Sequence, residues 1–346
     1  MPHSVPARVD LDHRLAPNMK PRHFVETISE ANNFWFGSFD VGNSKNLTLL
    51  IDTGSSDVIV NPGLYKEGPH SVDTHSKFIN TYGTTESDGS GTGTVTGTLY
   101  NDPVKFGAVT AYQTIGSAQP DANGEALIPA DGIVGFAGLE VSSFHGASPF
   151  FHSLCEQGKV SPCRFGITLG DNGKGTLLLG ALDQALFKGD LSTTSIIQEW
   201  ALYADIALNG KIIKKDALVE LDTGTATVIG PLVDVIAIFK AASIQYVVQT
   251  SKDSGTSVTG YFPCDRPPTL GLSIPSQSNA TAAAKQNSKL VSHHSSTFNI
   301  APDQWIAADN GSNNCTAILS GTDAFPIPDL WVVGQREFSR LYLKWH

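Results

Sequence analysis

Asp52 and Asp222 stand in two copies of one phrase. Leu49-Leu50-Ile51-Asp52-Thr53-Gly54-Ser55-Ser56 returns as Leu218-Val219-Glu220-Leu221-Asp222-Thr223-Gly224-Thr225, 170 residues later, about half the chain. In each copy an apolar run stops at a carboxylate, and the Gly two residues on lets backbone or substrate come close. One such Asp is an ordinary loop residue. Two of them, from matching half-structures, can face each other, and like charges about 3 Å apart cannot both ionise, so the pair keeps one proton. It then holds a base and an acid at once: one carboxylate takes a proton from water while its partner donates to a carbonyl oxygen.

Positioning the pair falls to short strands. Each copy follows a β-like apolar run and is closed by a proline, Pro62 or Pro231. Each half also carries a later apolar-apolar-Gly segment, Ile133-Val134-Gly135 and Val332-Val333-Gly334. Asn33 to Ile51 reads as a hairpin with a Gly-Asn turn that delivers Asp52 at the end of its second strand. The 33 Gly and 19 Pro, with many Ser and Thr between β-branched runs, point to a mainly β protein, and 346 residues suit two units of ordinary size.

With four matched pieces in the right order, the sequence resembles the pepsin-like aspartic proteases, most closely the fungal ones, over residues 24 to 345. The resemblance implies a mainly β, two-lobed fold with a cleft between lobes. It implies a leader over 1–23, an N-terminal lobe over 24–185 and a C-terminal lobe over 186–346. It further implies an aspartic endopeptidase of acidic pH that uses Asp52, Asp222 and one water, with no cofactor and no metal. Thr53 and Thr223 would brace the two loops, Gly54 and Gly224 would give close approach, and Ser55 and Thr225 would hydrogen-bond the carboxylates. Partners would be a peptide or protein substrate lying as an added strand and pepstatin-like inhibitors, with the protein itself a monomer.

Composition narrows the setting. A net charge of −10 argues against a nucleic-acid partner, and no stretch is long and apolar enough to span a membrane. Four cysteines and four Asn-x-Ser/Thr sites, at Asn46, Asn279, Asn310 and Asn314, fit a secreted or vacuolar glycoprotein. Cys264 and Cys315 sit where the family's C-terminal-lobe disulfide would be, and Cys155 with Cys163 would close a short loop; the other reading is four buried thiols. No apolar signal segment follows Met1. Residues 1–23 hold Arg8, Arg14, Lys20 and Arg22 against Asp10 and Asp12, so they read either as a prosegment remnant or as a plain N-terminal strand or tail.

The sequence departs from the family at the lid. The family places a Trp shortly after the first Asp and a Tyr in a flap hairpin, each supporting the other. Here Ile59 stands at the Trp position. Aligning Gly91-Thr92-Gly93 through Gly97 on the flap puts Ser90 where the Tyr should be; alternatively Tyr82-Gly83 begins the flap and Thr84 to Gly89 is inserted. Glycines 91, 93 and 97 lack the strand–helix context of a dinucleotide loop, and Gly170 to Thr176 reads as a turn rather than a phosphate loop.

In the second half, strand alternation puts Glu220 on the face of Asp222, about 6–7 Å along the strand. There it either adds negative charge beside the leaving-group pocket or turns to solvent. Ser148 is expected to cap a short helix ending near Gly158, and Gly230 to Lys240 reads as a core helix. Pro275 to Ser296 reads as a surface loop, and its His293-His294 pair lacks the companions of a metal site. Gln335 follows Gly334 where many relatives have Asp, and the chain is expected to stop before the family's last strand. Two other classes compete: a non-catalytic relative binding peptide, glycan or protein in the same cleft, and an unrelated β-rich carbohydrate-binding protein, which leaves the repeated motif unexplained.

Overall fold

The computed structural model describes residues 23–31, 33–83, 92–170, 172–187, 194–197, 200–252, 255–275, 295–325, 327–335 and 342–345. Alternating apolar and polar residues drive most of its strands: in Val109–Ala118, residues 109, 111, 113 and 115 are buried while 110, 112 and 114 are not.

The first half supplies β1 (Phe24–Ala31), β2 (Phe34–Val41), β3 (Ser44–Asp52), β4 (Val58–Val60), β5 (Val72–Gly83), β6 (Thr92–Phe106), β7 (Val109–Ala118), β8 (Gly132–Gly135), β9 (Phe165–Leu169) and β10 (Lys174–Leu179). The second half supplies β11 (Ala201–Leu208), β12 (Lys211–Asp222), β13 (Val228–Pro231), β14 (Gln245–Ser251), β15 (Gly255–Phe262), β16 (Leu270–Pro275), β17 (Ser295–Asn299), β18 (Ile306–Asp309), β19 (Cys315–Thr322), β20 (Leu330–Gly334) and β21 (Tyr342–Trp345). They form one sheet ordered β21-β9-β10-β1-β2-β3-β8-β4-β7-β6-β5 and another ordered β14-β15-β19-β13-β20-β12-β11-β16-β17, with β18 beside β19.

The duplication legible in the repeated phrase is a repeat of pairing. In the first sheet β3 runs parallel to β8, which puts Asp52 opposite Gly135, and β8 is flanked antiparallel by β4. In the second β12 runs parallel to β20, which puts Asp222 opposite Gly334, and β20 is flanked antiparallel by β13. The two apolar-apolar-Gly segments are therefore the strands that hold the two Asp strands in place. Each carboxylate ends a strand buried on both sides, so it cannot swing away.

Aromatic rings fill the core. Phe39 stacks on Phe106 at 4.4 Å, and Phe136, Phe150 and Phe165 pack edge to face; each fully buried Phe contributes about 1.5–3 kcal/mol. Separately, Phe36, Leu50, Ile59, Phe78, Val95, Ile128 and Phe144 form a smaller apolar cluster beneath the β5–β6 hairpin.

Several expectations are met and one changes. The Asn33–Ile51 hairpin is β2–β3, the Gly170–Thr176 turn joins β9 to β10, and Leu232–Ala241 is the core helix α2, with Val235, Ile238 and Phe239 buried. The short helix α1 spans Phe150–Glu156, but Pro149 rather than Ser148 is its N-cap; the Ser148 hydroxyl lies 2.9 Å from the Glu156 carboxylate instead. Near its end the chain returns to the first sheet: β21 pairs with β9, Tyr342 opposite Thr168 through Trp345 opposite Phe165. Residues 1–22, read above as a leader, the Asp171 position and the stretch 276–294, with Asn279 and His293-His294, lie outside the described residues. Pro275 and Ser295, at its two ends, are register partners of β16 and β17.

Candidate active site

The two Asp-Thr-Gly loops meet at the ends of β3 and β12 and repeat each other's hydrogen bonds. Gly54 N–H donates to Asp52 Oδ1 at 2.8 Å and Gly224 N–H to Asp222 Oδ1 at 2.7 Å. The Ser55 hydroxyl donates to Asp52 Oδ2, and Thr225 Oγ1 donates to Asp222 Oδ2 at 2.5 Å. Beneath them the loops interlock. Thr53 Oγ1 donates to the Leu221 carbonyl at 2.8 Å and accepts from Thr223 N–H at 3.0 Å; Thr223 Oγ1 donates to the Ile51 carbonyl at 2.7 Å and accepts from Thr53 N–H at 3.1 Å. The hydroxyl and the N–H of both threonines are used, and both residues are buried.

Gly54 and Gly224 are dictated by close approach. A Cβ on Gly54 would lie 2.6 Å from the Asp222 carboxyl carbon, and one on Gly224 would lie 2.2 Å from Asp52 Oδ1. Each glycine thus packs on the other half's carboxylate. Asp52 is 5% exposed and Asp222 9%, so both charges sit out of water. Burial, and then the Asp222 charge and its hydrogen bond, push the Asp52 carboxyl well above the ordinary carboxylate range, against the opposing pull of Ser55 and Gly54. The pair therefore keeps a proton at pH values where an isolated carboxylate would lose it.

In the β5–β6 ladder Tyr82 lies opposite Gly93, one pair before the last described one, Gly83 opposite Thr92. Tyr82 is half-buried against the Ile59, Phe78 and Phe144 cluster. Burial comes first and the charges of Asp52 and Asp57 second in pushing its phenol pKa well above ordinary. Ser90 and Gly91 lie outside the described residues, and Thr92 opens β6. Ile59 is fully buried in β4, a wall with no hydrogen-bonding group. Glu220 is half-buried on the face of Asp222, in register with Ala201 of β11 and Val332 of β20.

Sequence reasoning missed four polar residues around this hairpin. Asp57, five residues after Asp52, is 3% exposed and accepts from Ser142 Oγ at 2.7 Å, Ser143 N–H at 2.9 Å and Ser143 Oγ at 2.5 Å. Asn80 Nδ2 donates to the Tyr82 hydroxyl at 3.1 Å and lies 3.5 Å from Asp57 Oδ2. Only the i, i+2 spacing of Asn80 and Tyr82 on one strand face hinted at their contact. Two further bonds tie the halves together: Trp35 Nε1 to Gln335 Oε1 at 2.7 Å, and Trp200 Nε1 to the Phe136 carbonyl at 2.9 Å.

All four cysteines are paired, Cys155 with Cys163 and Cys264 with Cys315. Among the described residues the grouping close enough to hold a cation is Cys264, Asp309 and Cys315, and its sulfurs are spent in the disulfide. Asn46, Asn310 and Asn314 are exposed. No described helix is long and apolar enough to cross a membrane.

A family model described as eukaryotic aspartyl protease matches residues 34–346. Secreted aspartyl protease 1 of Malassezia globosa is 30% identical over 296 residues, covering 83% of this chain and 70% of that protein. Pepsin A of Bos taurus is 27% identical over 319 residues, 87% of this chain and 78% of its own. The crystal structure of aspartic proteinase from Irpex lacteus superposes with a TM-score of 0.71, covering 93% of this chain and 94% of its own at 19% identity, a likeness of fold.

Proposed function

The chain belongs to the eukaryotic aspartyl protease family and is an aspartic endopeptidase, and on that premise we propose that Asp52 and Asp222 are its catalytic pair. The observation that carries the assignment is the mirrored cradle: each carboxylate is held by its own Gly N–H and hydroxyl and faced by the other half's glycine. The reading of a non-catalytic cleft protein finds no support in the family match.

The chemistry follows from one proton shared by two carboxylates, behaviour for which aspartic-protease dyads are the type case. The ionised member takes a proton from water as its oxygen attacks the peptide carbonyl carbon, and the protonated member gives its proton to the carbonyl oxygen. As the C–N bond breaks, the carboxyl that took the water's proton gives it to the amine nitrogen and its partner takes a proton from the diol hydroxyl, which restores the single shared proton with no covalent enzyme intermediate. Thr53 and Thr223 keep the two carboxylates at fixed separation, and Ser55 and Thr225 hold their outer oxygens.

Tyr82, rather than Ser90, is the lid side chain in this reading, supported by its place opposite Gly93 in the β5–β6 ladder and its packing on the cluster that contains Ile59. Thr92, which opens β6, belongs to the same lid, and an extended peptide backbone is the natural ligand of such a strand edge. Glu220 lies beside the leaving-group side and favours a basic residue just after the cleaved bond. Pepstatin-like compounds bind the same pair, and the protein works as a monomer. Paired cysteines and exposed sequons support a secretory, extracellular or vacuolar setting with glycans on Asn46, Asn310 and Asn314.

Cleavage of an unfolded protein substrate between about pH 2 and 7 tests the assignment, because a one-proton pair requires an acid-limited window. Activity in acid that vanishes in Asp52→Asn and in Asp222→Asn is expected. Full activity in either variant would remove that residue from the catalytic pair.

A further inference from the structure

The lid tyrosine needs a polar partner, and Ile59 offers none. We propose that Asn80 is the positioning residue for the Tyr82 hydroxyl, with its amide held in one orientation by the buried carboxylate of Asp57. The proposal rests on Tyr82 being the lid side chain.

The argument starts from the amide. The two ends of an Asn side chain are nearly equal in size, so the neighbours decide which faces where. Asn80 lies between a carboxylate and a phenol: Asp57 Oδ2 at 3.5 Å and the Tyr82 oxygen at 3.1 Å. A carbonyl turned toward Asp57 would set lone pairs against lone pairs. The NH₂ end therefore faces Asp57, and one amide hydrogen is directed at each neighbour.

Asp57 cannot yield to the other arrangement. Its Oδ1 accepts from Ser142 Oγ, its Oδ2 accepts from both the N–H and the Oγ of Ser143, and its carbonyl accepts from Gly135 N–H in β8. The same Ser142–Phe144 segment carries Phe144, whose ring packs on Phe78 of the lid strand at 5.1 Å. Carboxylate, amide and phenol thus form a line anchored in the rigid part of the N-terminal half.

The consequence is directional. With the amide donating, the phenol oxygen is an acceptor on that side and its own hydrogen remains for the cleft. With the amide reversed, that hydrogen would be drawn to Asn80 Oδ1 and lost to the substrate. Asp57 acts two steps away, by fixing the polarity of the line.

A double-mutant cycle separates this from a merely structural role. Asn80→Leu in the native chain should lower kcat/KM by about three- to tenfold, the worth of one hydrogen bond. In a Tyr82→Phe background, with no hydroxyl to position, the same change should cost less than about twofold. Equal losses in both backgrounds would overturn the role of Asn80 while leaving Tyr82 as the lid residue. A Tyr82→Phe enzyme as active as the native one would overturn both readings. Asn80→Ala, which also removes the N–H donors and adds no charge beside Asp57, repeats the cycle should the Leu variant fail to fold, with the same outcomes expected and the same ones excluding the proposal.

Discussion

Thr53 and Thr223 exchange hydrogen bonds across the boundary between halves, each accepting from the other's N–H and each donating to the carbonyl before the other's Asp. This exchange sets how far apart Asp52 and Asp222 sit. Thr53→Val keeps the shape and strips the hydroxyl, leaving the buried Thr223 N–H and Leu221 carbonyl without their partner. We expect a loss of about 1–3 kcal/mol in urea unfolding together with a fall in kcat. Adding Thr223→Val should cost less than the sum of the singles, because the two side chains form one unit.

Gly224→Ala places a methyl where Asp52 Oδ1 now lies. One carboxylate must move, so kcat/KM should fall by more than about 100-fold, the scale of a misplaced reacting group. Steady-state cleavage assays and a thermal melt check the prediction: activity should collapse while a folded protein remains.

Asp52 ties stability to pH. Its carboxyl is held well above the ordinary range, so the folded chain binds that proton more tightly than the unfolded one. The resulting stabilisation is complete below about pH 4, the unfolded value, and is lost as pH rises through the raised folded value. Melting temperature should therefore fall from acid toward neutral pH, and the fall should be shallower in Asp52→Asn. Parallel melting curves for the two proteins would exclude this contribution.

Glu220 lies two residues before Asp222 on the same strand face. Replacing it with Leu removes a negative charge near the pair, so activity should be lost at a lower pH than in the native enzyme, and preference for Lys or Arg just after the cleaved bond should weaken. Cleavage of a mixed peptide library across pH reads both effects, and an unchanged profile with unchanged preference would assign Glu220 to solvent.

Gln335→Leu would leave the indole N–H of Trp35 without its acceptor, and Trp35 is 2% exposed. The expected cost is about 1–3 kcal/mol, measured by denaturant unfolding.

Much of the candidate site was legible before any fold. The repeated Asp-Thr-Gly phrase and its two apolar-apolar-Gly partners stand out because each is a short local pattern, and β3, β8, β12 and β20 are where they pointed. The β2–β3 hairpin and α2 were legible for the same reason: turn residues and apolar spacing act within a few residues. Ser148 misled because an N-cap residue is also a good partner for a carboxylate, and Glu156 comes within reach only once α1 has formed.

By itself the sequence determined the chemistry: two carboxylates, each at a strand end with a Gly behind it, in two halves of one ancestry. Tertiary structure decided the rest. The threonine exchange joins residues 170 apart, β21 returns from the end of the chain to pair with β9, and Asp57 meets Ser142 and Ser143 across 85 and 86 residues. Local periodicity records which face of a strand is buried. It carries no record of which polar atoms meet, because that depends on how segments distant in the chain come together, and only in the fold does the line from Asp57 through Asn80 to Tyr82 exist.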